Sequence, residues 1–155
     1  MARSWTDKLK DSKDLPRIER LSGPMATRYG KGTMLIPAPL EVDEVMRRIP
    51  RGKLSTLNHI RGHLAKQHKA TVGCPITTGI FAWIAAHAAA EQAAAGKKRI
   101  TPYWRTLKLN GELNPRYPGG IEALRQQLES EGHRVVQKRK KFVVENYEAV
   151  LADLS

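Results

Sequence analysis

The stretch from Cys74 to Arg105, CPITTGIFAWIAAHAAAEQAAAGKKRITPYWR, organises the rest of the chain. Pro75 suits the first position of a helix and Gly96 suits the left-handed position just after a helix end, so the sequence predicts one helix from Pro75 to about Ala95. Many alanines in this helix would let other elements approach closely, which predicts that it is largely buried. The large apolar residues that recur at helical spacing are predicted as its core stripe: Ile76, Ile80, Trp83 and Ile84.

The first turn of this helix, Thr77-Thr78-Gly79, differs in composition from the rest. Free backbone N–H groups point outward at a helix start and favour an anion such as phosphate, so this turn is predicted to lie on the functional face. A shorter helix precedes it, capped by Ser55 or Thr56 and ending near Gln67. Two helices joined by a brief turn that contains glycine have the layout of a helix-turn-helix.

Charge and length narrow the class of partner. The chain has 155 residues and a net charge of +12, because 27 lysines and arginines face 15 acidic residues. That balance favours a polyanion, with nucleic acid ahead of an anionic membrane. No apolar run approaches the length of about 20 residues that spans a bilayer, and the N-terminus lacks a signal-peptide pattern, so we expect a cytoplasmic, nucleoid-associated protein with no membrane partner. One cysteine suits a reducing compartment.

The remaining patterns predict a mainly α fold with small β hairpins. Residues 1–39 read as an N-terminal extension whose Trp5 docks on the main domain, and residues 40–155 read as that domain. The predicted elements after residue 32 are a strand at 33–36, helices at 40–49 and 120–131, a strand at 103–109 turning at Asn110-Gly111, a hairpin at 135–144 with a basic tip, and a last helix capped by Asn146.

Three stretches carry a family resemblance: IPRGKLSTLNHI at 49–60, ITPYWRT at 100–106, and GGIEALRQQLESEGHRV at 119–135. In order and spacing they resemble the C-terminal DNA-binding domain of the alkylguanine-DNA alkyltransferases and of their catalytically inert alkyltransferase-like relatives. The likeness covers roughly residues 40–136 and implies a winged helix-turn-helix. It further implies binding to the minor groove of double-stranded DNA and rotation of a damaged guanine out of the stack, where a cysteine can accept its alkyl group.

This chain departs from the family at the reacting positions. Pro102 and Arg105 match the family's Pro-Cys-His-Arg motif, but Tyr103 replaces the cysteine and Trp104 replaces the histidine. A phenol with a pKa near 10 is a poor acceptor, and an indole N–H can only donate, so no catalytic residue is predicted. Glu131 matches the carboxylate that orients the family's histidine, and we expect it to accept a hydrogen bond from Trp104 or Tyr103. These residues form the predicted pocket: Pro102, Tyr103, Trp104 and Glu131.

Two further departures concern DNA handling. The tyrosine that helps to rotate the nucleotide aligns with Leu57, and the arginine that fills the vacated space aligns with Thr78. Both changes remove groups that the family uses for base flipping, whereas contact with the DNA backbone remains expected. The predicted DNA-binding residues are Lys53, Ser55, Thr56, Thr77, Thr78, Gly79, Lys97, Lys98, Arg99 and Arg105.

Other residues allow rival interpretations. Cys74, at a helix start, is either a relocated nucleophile or a small buried apolar residue. His59, His63 and His68 have a spacing compatible with a metal, but no second cysteine accompanies them, so we predict no metal and no cofactor. The sequence predicts a monomeric, non-catalytic DNA-binding protein linked to the recognition or repair of alkylated DNA. The alternatives are a divergent enzyme using Cys74 or the Tyr103/Trp104 pocket, and a module that binds protein or RNA.

Overall fold

The computed structural model describes residues 3–155, in which helices predominate over short strands. The helices are α1 (Trp5–Lys10), α2 (Gly23–Tyr29), α3 (Pro39–Arg47), α4 (Leu57–Gln67), α5 (Pro75–Ala94) and α6 (Gly120–Ser130). The strands are β1 (Arg17–Arg20), β2 (Thr33–Ile36), β3 (Ser55–Thr56), β4 (Val72–Gly73), β5 (Thr106–Leu107), β6 (Val135–Lys138) and β7 (Lys141–Val144). The predicted class, mainly α with small β elements, is confirmed, and its winged helix-turn-helix assignment stays a prediction.

The strands form small sheets that join distant parts of the chain. β2 pairs antiparallel with β1 and parallel with β4, and β3 pairs parallel with β5. β6 and β7 form the antiparallel hairpin that the sequence predicts at 135–144. No helix within residues 3–155 is both long enough and apolar enough to cross a membrane.

Helix α5 begins and ends close to the predicted positions but buries a different face. Cys74 is its N-cap residue, and Gly96 follows its end with φ 94°. The predicted core stripe is wrong at its start, because Ile76 is 71% exposed and Ile80 is 45% exposed. The buried face is made of small residues: Thr78, Ala82, Ala85, Ala86, Ala88 and Ala89. Helical spacing shows which residues share a face but not which face the other elements cover, and here close packing selects the alanine face.

Two hydrophobic clusters lie on either side of α5. Ala82 and Ala85 belong to the first cluster, together with α3 residues such as Met46. Ala86 belongs to the second cluster, together with Leu107 of β5 and with α6 residues. Helix α5 therefore contributes buried residues to both hydrophobic clusters.

The N-terminal segment docks through aromatic contacts, as predicted for Trp5. The Trp5 ring meets Trp83 edge-to-face at 4.8 Å between centroids and stacks on His87 at 4.6 Å. The Glu91 carboxylate accepts hydrogen bonds from the backbone N–H groups of Trp5 at 3.0 Å and Thr6 at 3.1 Å. A carboxylate at the start of α1 suits the helix dipole and fixes α1 on α5. The division at residue 39 stays a prediction, although the β2–β4 pairing crosses it.

Two predicted elements are corrected. The expected strand at 103–109 begins as a 3₁₀ turn, Tyr103–Arg105, and only Thr106–Leu107 is extended. Asn110 and Gly111 do make a left-handed turn, with φ 63° and 79°, but β5 pairs with β3 instead of with the chain that follows this turn. The last helix is a 3₁₀ turn at Tyr147–Val150, because Asn146 is left-handed and its side chain caps nothing.

Candidate nucleic-acid interface

The segment Pro102–Arg105 is positioned from both ends by buried polar contacts. Before it, the Thr101 hydroxyl donates to Asp43 Oδ1 at 2.6 Å, and both residues are buried. After it, Thr106 pairs with Ser55 across the two-stranded β3–β5 sheet. Satisfied buried hydrogen bonds of this kind hold a segment in one conformation, because breaking one leaves a buried polar group without a partner.

Glu131, at the C-terminal end of α6, is the centre of the predicted pocket. Its side chain is 2% exposed, and its Oε2 accepts a hydrogen bond from Trp104 Nε1 at 2.8 Å. This contact confirms the expected hydrogen bond from Trp104. Arg105 donates to both carboxylate oxygens, from Nε at 2.9 Å and from Nη2 at 2.9 Å. Two parallel N–H···O bonds make this pair bidentate, which is the strongest ion-pair geometry of arginine.

The charge of Glu131 is maintained by these donors. Burial alone would raise the pKa of Glu131, but the hydrogen bonds from Arg105 and Trp104 outweigh burial and bring that pKa below its usual value. Gly52 N also approaches Glu131 Oε1 at 3.4 Å, and Arg51 donates to the Ser130 carbonyl at 3.0 Å. The ionised carboxylate therefore joins the turn before β3, the Tyr103–Arg105 turn and the end of α6.

Arg105 is removed from the set of residues predicted to contact DNA. Its third donor, Nη1, binds the Ile49 carbonyl at 2.7 Å, and its side chain is only 14% exposed. Each of these donors is used inside the protein, so no phosphate can displace them without leaving Glu131 unpaired. Arg105 matches the family motif in sequence, but in this chain its guanidinium stabilises the fold instead of contacting DNA.

Tyr103 is half-buried among aromatic rings. Its ring meets Trp104 edge-to-face at 5.3 Å between centroids and Tyr117 at 6.1 Å. Burial raises the pKa of Tyr103, so its hydroxyl is an even weaker nucleophile than an exposed phenol. On its other side Tyr103 lines an open cavity of about 320 Å³ against α6, with Leu124 and Gln127 among the other lining residues.

A larger apolar cavity, of about 440 Å³, lies between α5 and the loop Asn114–Arg116. We call it the α5 cavity, and its lining residues are Leu57, Ile76, Gly79, Ile80, Trp83, Lys108, Asn114, Pro115 and Arg116. Sequence reasoning predicted Gly79 and singled out Leu57, but it missed Lys108, Asn114 and Arg116. The Asn114-Pro115-Arg116 sequence, which lies just before the third family-like stretch, was a signal that could have suggested this side of the cavity.

The hydroxyl residues predicted to contact DNA are mostly internal, which corrects the prediction. Ser55 is fully buried, and Thr56 is 8% exposed and accepts the His59 N–H as the N-cap of α4. Thr78 is 1% exposed, and its hydroxyl donates to the Cys74 carbonyl at 2.7 Å. Thr77 is partly exposed as a residue, but its Oγ1 is buried and has no hydrogen-bond partner within residues 3–155, so this hydroxyl does not face solvent either.

The predicted cations do not surround one site. Lys53, Lys97, Lys98 and Arg99 are exposed, and none of them forms an ion pair with a residue of the described part of the chain. Helix α5 has 20 residues, so its two ends are about 30 Å apart. Residues 97–99 follow one end, whereas Thr77 and Gly79 lie at the other. The cations predicted to contact DNA are therefore not gathered at the Thr77–Thr78 turn, and the cations that line the cavity beside that turn are Lys108 and Arg116.

The residues considered as a nucleophile or as metal ligands, Cys74 and the histidines of α4 and its end, are packed or paired within the fold. Cys74 is 8% exposed and unpaired by a disulfide, as expected for a small buried residue at a helix start. His63 Nε2 lies 3.4 Å from Arg48 Nη2, and His68 Nε2 lies 2.6 Å from Glu41 Oε2. Between residues 3 and 155, no group of three or more histidine, cysteine or acidic side chains is arranged to hold a metal ion.

Comparison with known proteins finds likeness only among solved structures. No protein-family model matches the sequence, and no curated protein matches it. The chain is similar to the crystal structure of S. pombe Atl1 in complex with damaged DNA containing O6-carboxymethylguanine, at 20% identity and a TM-score of 0.49. It is also similar to S. pombe ATL in complex with DNA, at 19% identity and a TM-score of 0.47. Each comparison covers 74% of this chain and 94% of the other, and at these values the likeness does not establish the family.

Proposed function

We propose that this chain is a non-catalytic, alkyltransferase-like DNA-binding protein that takes part in the recognition of alkylated DNA. The observation that carries the proposal is the hydrogen bond from Trp104 to Glu131, which lie 27 residues apart in the sequence. The family resemblance alone pairs these two positions. Their contact at 2.8 Å supports the alignment of both motifs at once. In this proposal Tyr103 occupies the alkyl-acceptor position.

The chemistry of Tyr103 and Trp104 opposes alkyl transfer. A displacement at an alkyl carbon needs a strong nucleophile and a base that takes its proton. Burial raises the pKa of Tyr103, and the Trp104 indole, already bound to Glu131, has a proton to donate but no lone pair to accept one. Cys74, the only cysteine, is buried at the start of α5. The proposed role is therefore binding without self-alkylation.

The α5 cavity, which Tyr103 does not line, is the proposed contact with the bases of the duplex. Its volume of about 440 Å³ lies within the range of about 300–1,000 Å³ that is usual for small-ligand pockets. Lys108 and Arg116 on its wall supply positive charge, and the net charge of +12 supplies long-range attraction to phosphate. Leu57 gives this wall an aliphatic surface where the family has a tyrosine, so a base here would be held by apolar contact.

The proposed partner is double-stranded DNA, approached from its minor groove by a monomer, and the proposed location is the nucleoid within the cytoplasm. The proposal keeps α4 and α5 as the helix-turn-helix and the β6–β7 hairpin as the wing. Lys53, Lys97, Lys98 and Arg99 remain candidates for phosphate contacts beyond the α5 cavity, since all four are exposed.

The test is fluorescence polarisation of a labelled duplex at several salt concentrations. We expect affinity to fall as salt rises, and we expect the double variant Lys108→Ala/Arg116→Ala to reduce the slope of log K against log salt by about 2, because each lost phosphate contact removes roughly 0.9. The matched control Arg20→Ala/Lys31→Ala removes the same charge from two exposed positions outside the α5 cavity and outside the proposed wing, and this variant should leave the slope unchanged. Binding that is absent at low salt, or indifferent to salt, would contradict the proposal.

The rival functions are separated by two further measurements. Intact-mass analysis after incubation with an alkylated oligonucleotide should show no added mass, whereas an alkyl adduct that disappears in Cys74→Ala would identify an enzyme. Competition by RNA should be weaker than competition by duplex DNA of equal length. RNA that competes better would favour the RNA-interaction module.

A further inference from the structure

Helix α5 carries an apolar ridge that the fold does not use. Ile76 is 71% exposed and Ile80 is 45% exposed, and the two residues lie one helical turn apart on the same face. Single exposed aliphatic side chains are common on soluble proteins, whereas a contiguous apolar surface next to a cavity indicates a binding surface. Both isoleucines line the α5 cavity, and Leu57 and Trp83 extend the apolar surface inside it.

The charges beside the ridge indicate what it binds. Lys108 and Arg116 line the same cavity, and no acidic residue is among its lining residues. Lys108 pairs with the Glu112 carboxylate at 3.8 Å from its Nζ, but the Glu112 side chain is only 16% exposed. An apolar ridge flanked by cations complements a partner with an apolar interior and an anionic rim. Stacked bases between two phosphate backbones have that arrangement.

Helix α5 is also built to keep the ridge rigid. The face opposite the solvent is made of buried alanines, with Ala82 and Ala86 fully buried, so the helix is packed directly on both core clusters. Isoleucine in a helix has one strongly preferred χ1 rotamer, so little side-chain entropy remains to be lost on binding. Thr78, between the two isoleucines in sequence, is 1% exposed and points inward. Position 78 therefore cannot reach DNA, and the outward positions of this turn are 76 and 80.

We propose that Ile76 and Ile80 form a wedge that inserts between stacked base pairs and separates one step next to the α5 cavity. This inference rests on the proposed DNA-binding function and adds residues that determine how the duplex is opened. Proteins that bind the minor groove often insert isoleucine or leucine between base steps, and the unstacking cost is offset because the inserted side chain is buried. The wedge occupies the gap between the two separated base pairs, while Lys108 and Arg116 hold the neighbouring phosphates.

The experiment uses a duplex with 2-aminopurine at a central mismatch, because the fluorescence of this base rises when it loses its stacking neighbours. We expect the full chain to raise the fluorescence and Ile76→Ala/Ile80→Ala to abolish the rise. We also expect that variant to weaken binding of the mismatched duplex by about 100-fold, because each of the two aliphatic side chains left unburied should cost about tenfold. Ile18→Ala is the matched control, since Ile18 is 49% exposed on β1 and should change neither result.

Folding does not confuse the result, because alanine favours a helix more than isoleucine does and both positions are exposed. The single variant Ile76→Ala provides a second, smaller perturbation in which about half of the fluorescence rise should be lost.

Four outcomes overturn the wedge. The first is a full fluorescence rise in the double variant. The second is salt-dependent duplex binding by the wild type without any fluorescence rise, and this result would leave the proposed DNA binding intact. Absence of any duplex binding is the third and removes both proposals together. The fourth is a wild-type dimer in sedimentation equilibrium that dissociates in the double variant, because the ridge would then be an interface between two copies.

Discussion

Replacing Glu131 by glutamine tests whether one buried charge holds the predicted pocket together. The substitution keeps the size of the side chain and one carbonyl oxygen, but it removes the negative charge. Arg105 then keeps its hydrogen bond to the Ile49 carbonyl at 2.7 Å and loses its counter-charge while only 14% exposed. The Trp104 indole changes from a partner of a carboxylate to, at best, a partner of an amide oxygen.

The expected loss of stability follows from these contacts. Removing one member of a buried ion pair costs about 3–5 kcal/mol, since the other charge stays buried without compensation. Glutamine can still accept a hydrogen bond from Arg105 or Trp104, and a net hydrogen bond contributes about 1 kcal/mol. We therefore expect Glu131→Gln to lower the free energy of unfolding by about 2–4 kcal/mol, out of a total of about 5–15 kcal/mol for a domain. At about 2–4 °C for each kcal/mol, the melting temperature should fall by about 4–16 °C.

Urea unfolding followed by circular dichroism measures this loss, and Glu129→Gln is the matched control. Glu129 lies on the same helix, but its side chain is 47% exposed and its nearest cation, Arg125, is 3.4 Å away and 40% exposed. Exposed pairs of this kind contribute about 0–1 kcal/mol, so the control should unfold almost as the wild type does. If Glu131→Gln and Glu129→Gln have equal midpoints, the bidentate geometry contributes no stability and the reasoning is wrong.

A double-mutant cycle isolates the pair itself. Arg105→Met alone leaves the Glu131 carboxylate buried without its guanidinium, whereas Arg105→Met/Glu131→Gln removes both charges. We expect the double variant to lose less than the sum of the single variants, by about 1–3 kcal/mol, as residues in direct contact usually do. Additive losses would show that the two side chains act independently.

Three further predictions concern acid, a turn and the acceptor position. The pKa of Glu131 is lowered in the folded state, so its ionised form stabilises the fold above the unfolded-state pKa of about 4.3, and this stabilisation is lost as pH falls through the folded-state pKa. The difference in the free energy of unfolding between wild type and Glu131→Gln should therefore shrink below about pH 4. A difference that stays constant with pH would contradict this. Gly111→Ala should destabilise by at least about 1–2 kcal/mol in urea unfolding, since Gly111 has φ 79° and an added Cβ would lie 2.4 Å from the Tyr147 ring; an unchanged midpoint would show that this turn relaxes freely. Tyr103→Cys should remain unalkylated by intact mass after incubation with an alkylated oligonucleotide, because Trp104 cannot accept the thiol proton; an adduct would show that the thiol alone suffices.

The parts of the fold that follow from short-range signals were predictable. Pro75 and Gly96 bracket α5, and two short apolar runs on either side of the basic tip at 138–141 predict the β6–β7 hairpin. Caps, turns and periodic apolar residues act within one or two turns of chain, so their effect can be predicted without coordinates. The hydrogen bond between Trp104 and Glu131 was predictable for another reason, since a family resemblance carries tertiary information in its spacing.

Other properties depended on which surfaces meet. The sequence by itself determined where α5 begins and ends, the excess of positive charge, and the absence of a thiol at position 103. Only the tertiary structure decided that Ile76 faces solvent while Thr78 is buried, and that Arg105 is occupied by Glu131 instead of being free for phosphate. The physical reason is that burial and ion pairing depend on neighbours supplied by distant segments. A helix can be assigned from its own residues, but the face that it buries is set by the elements packed against it.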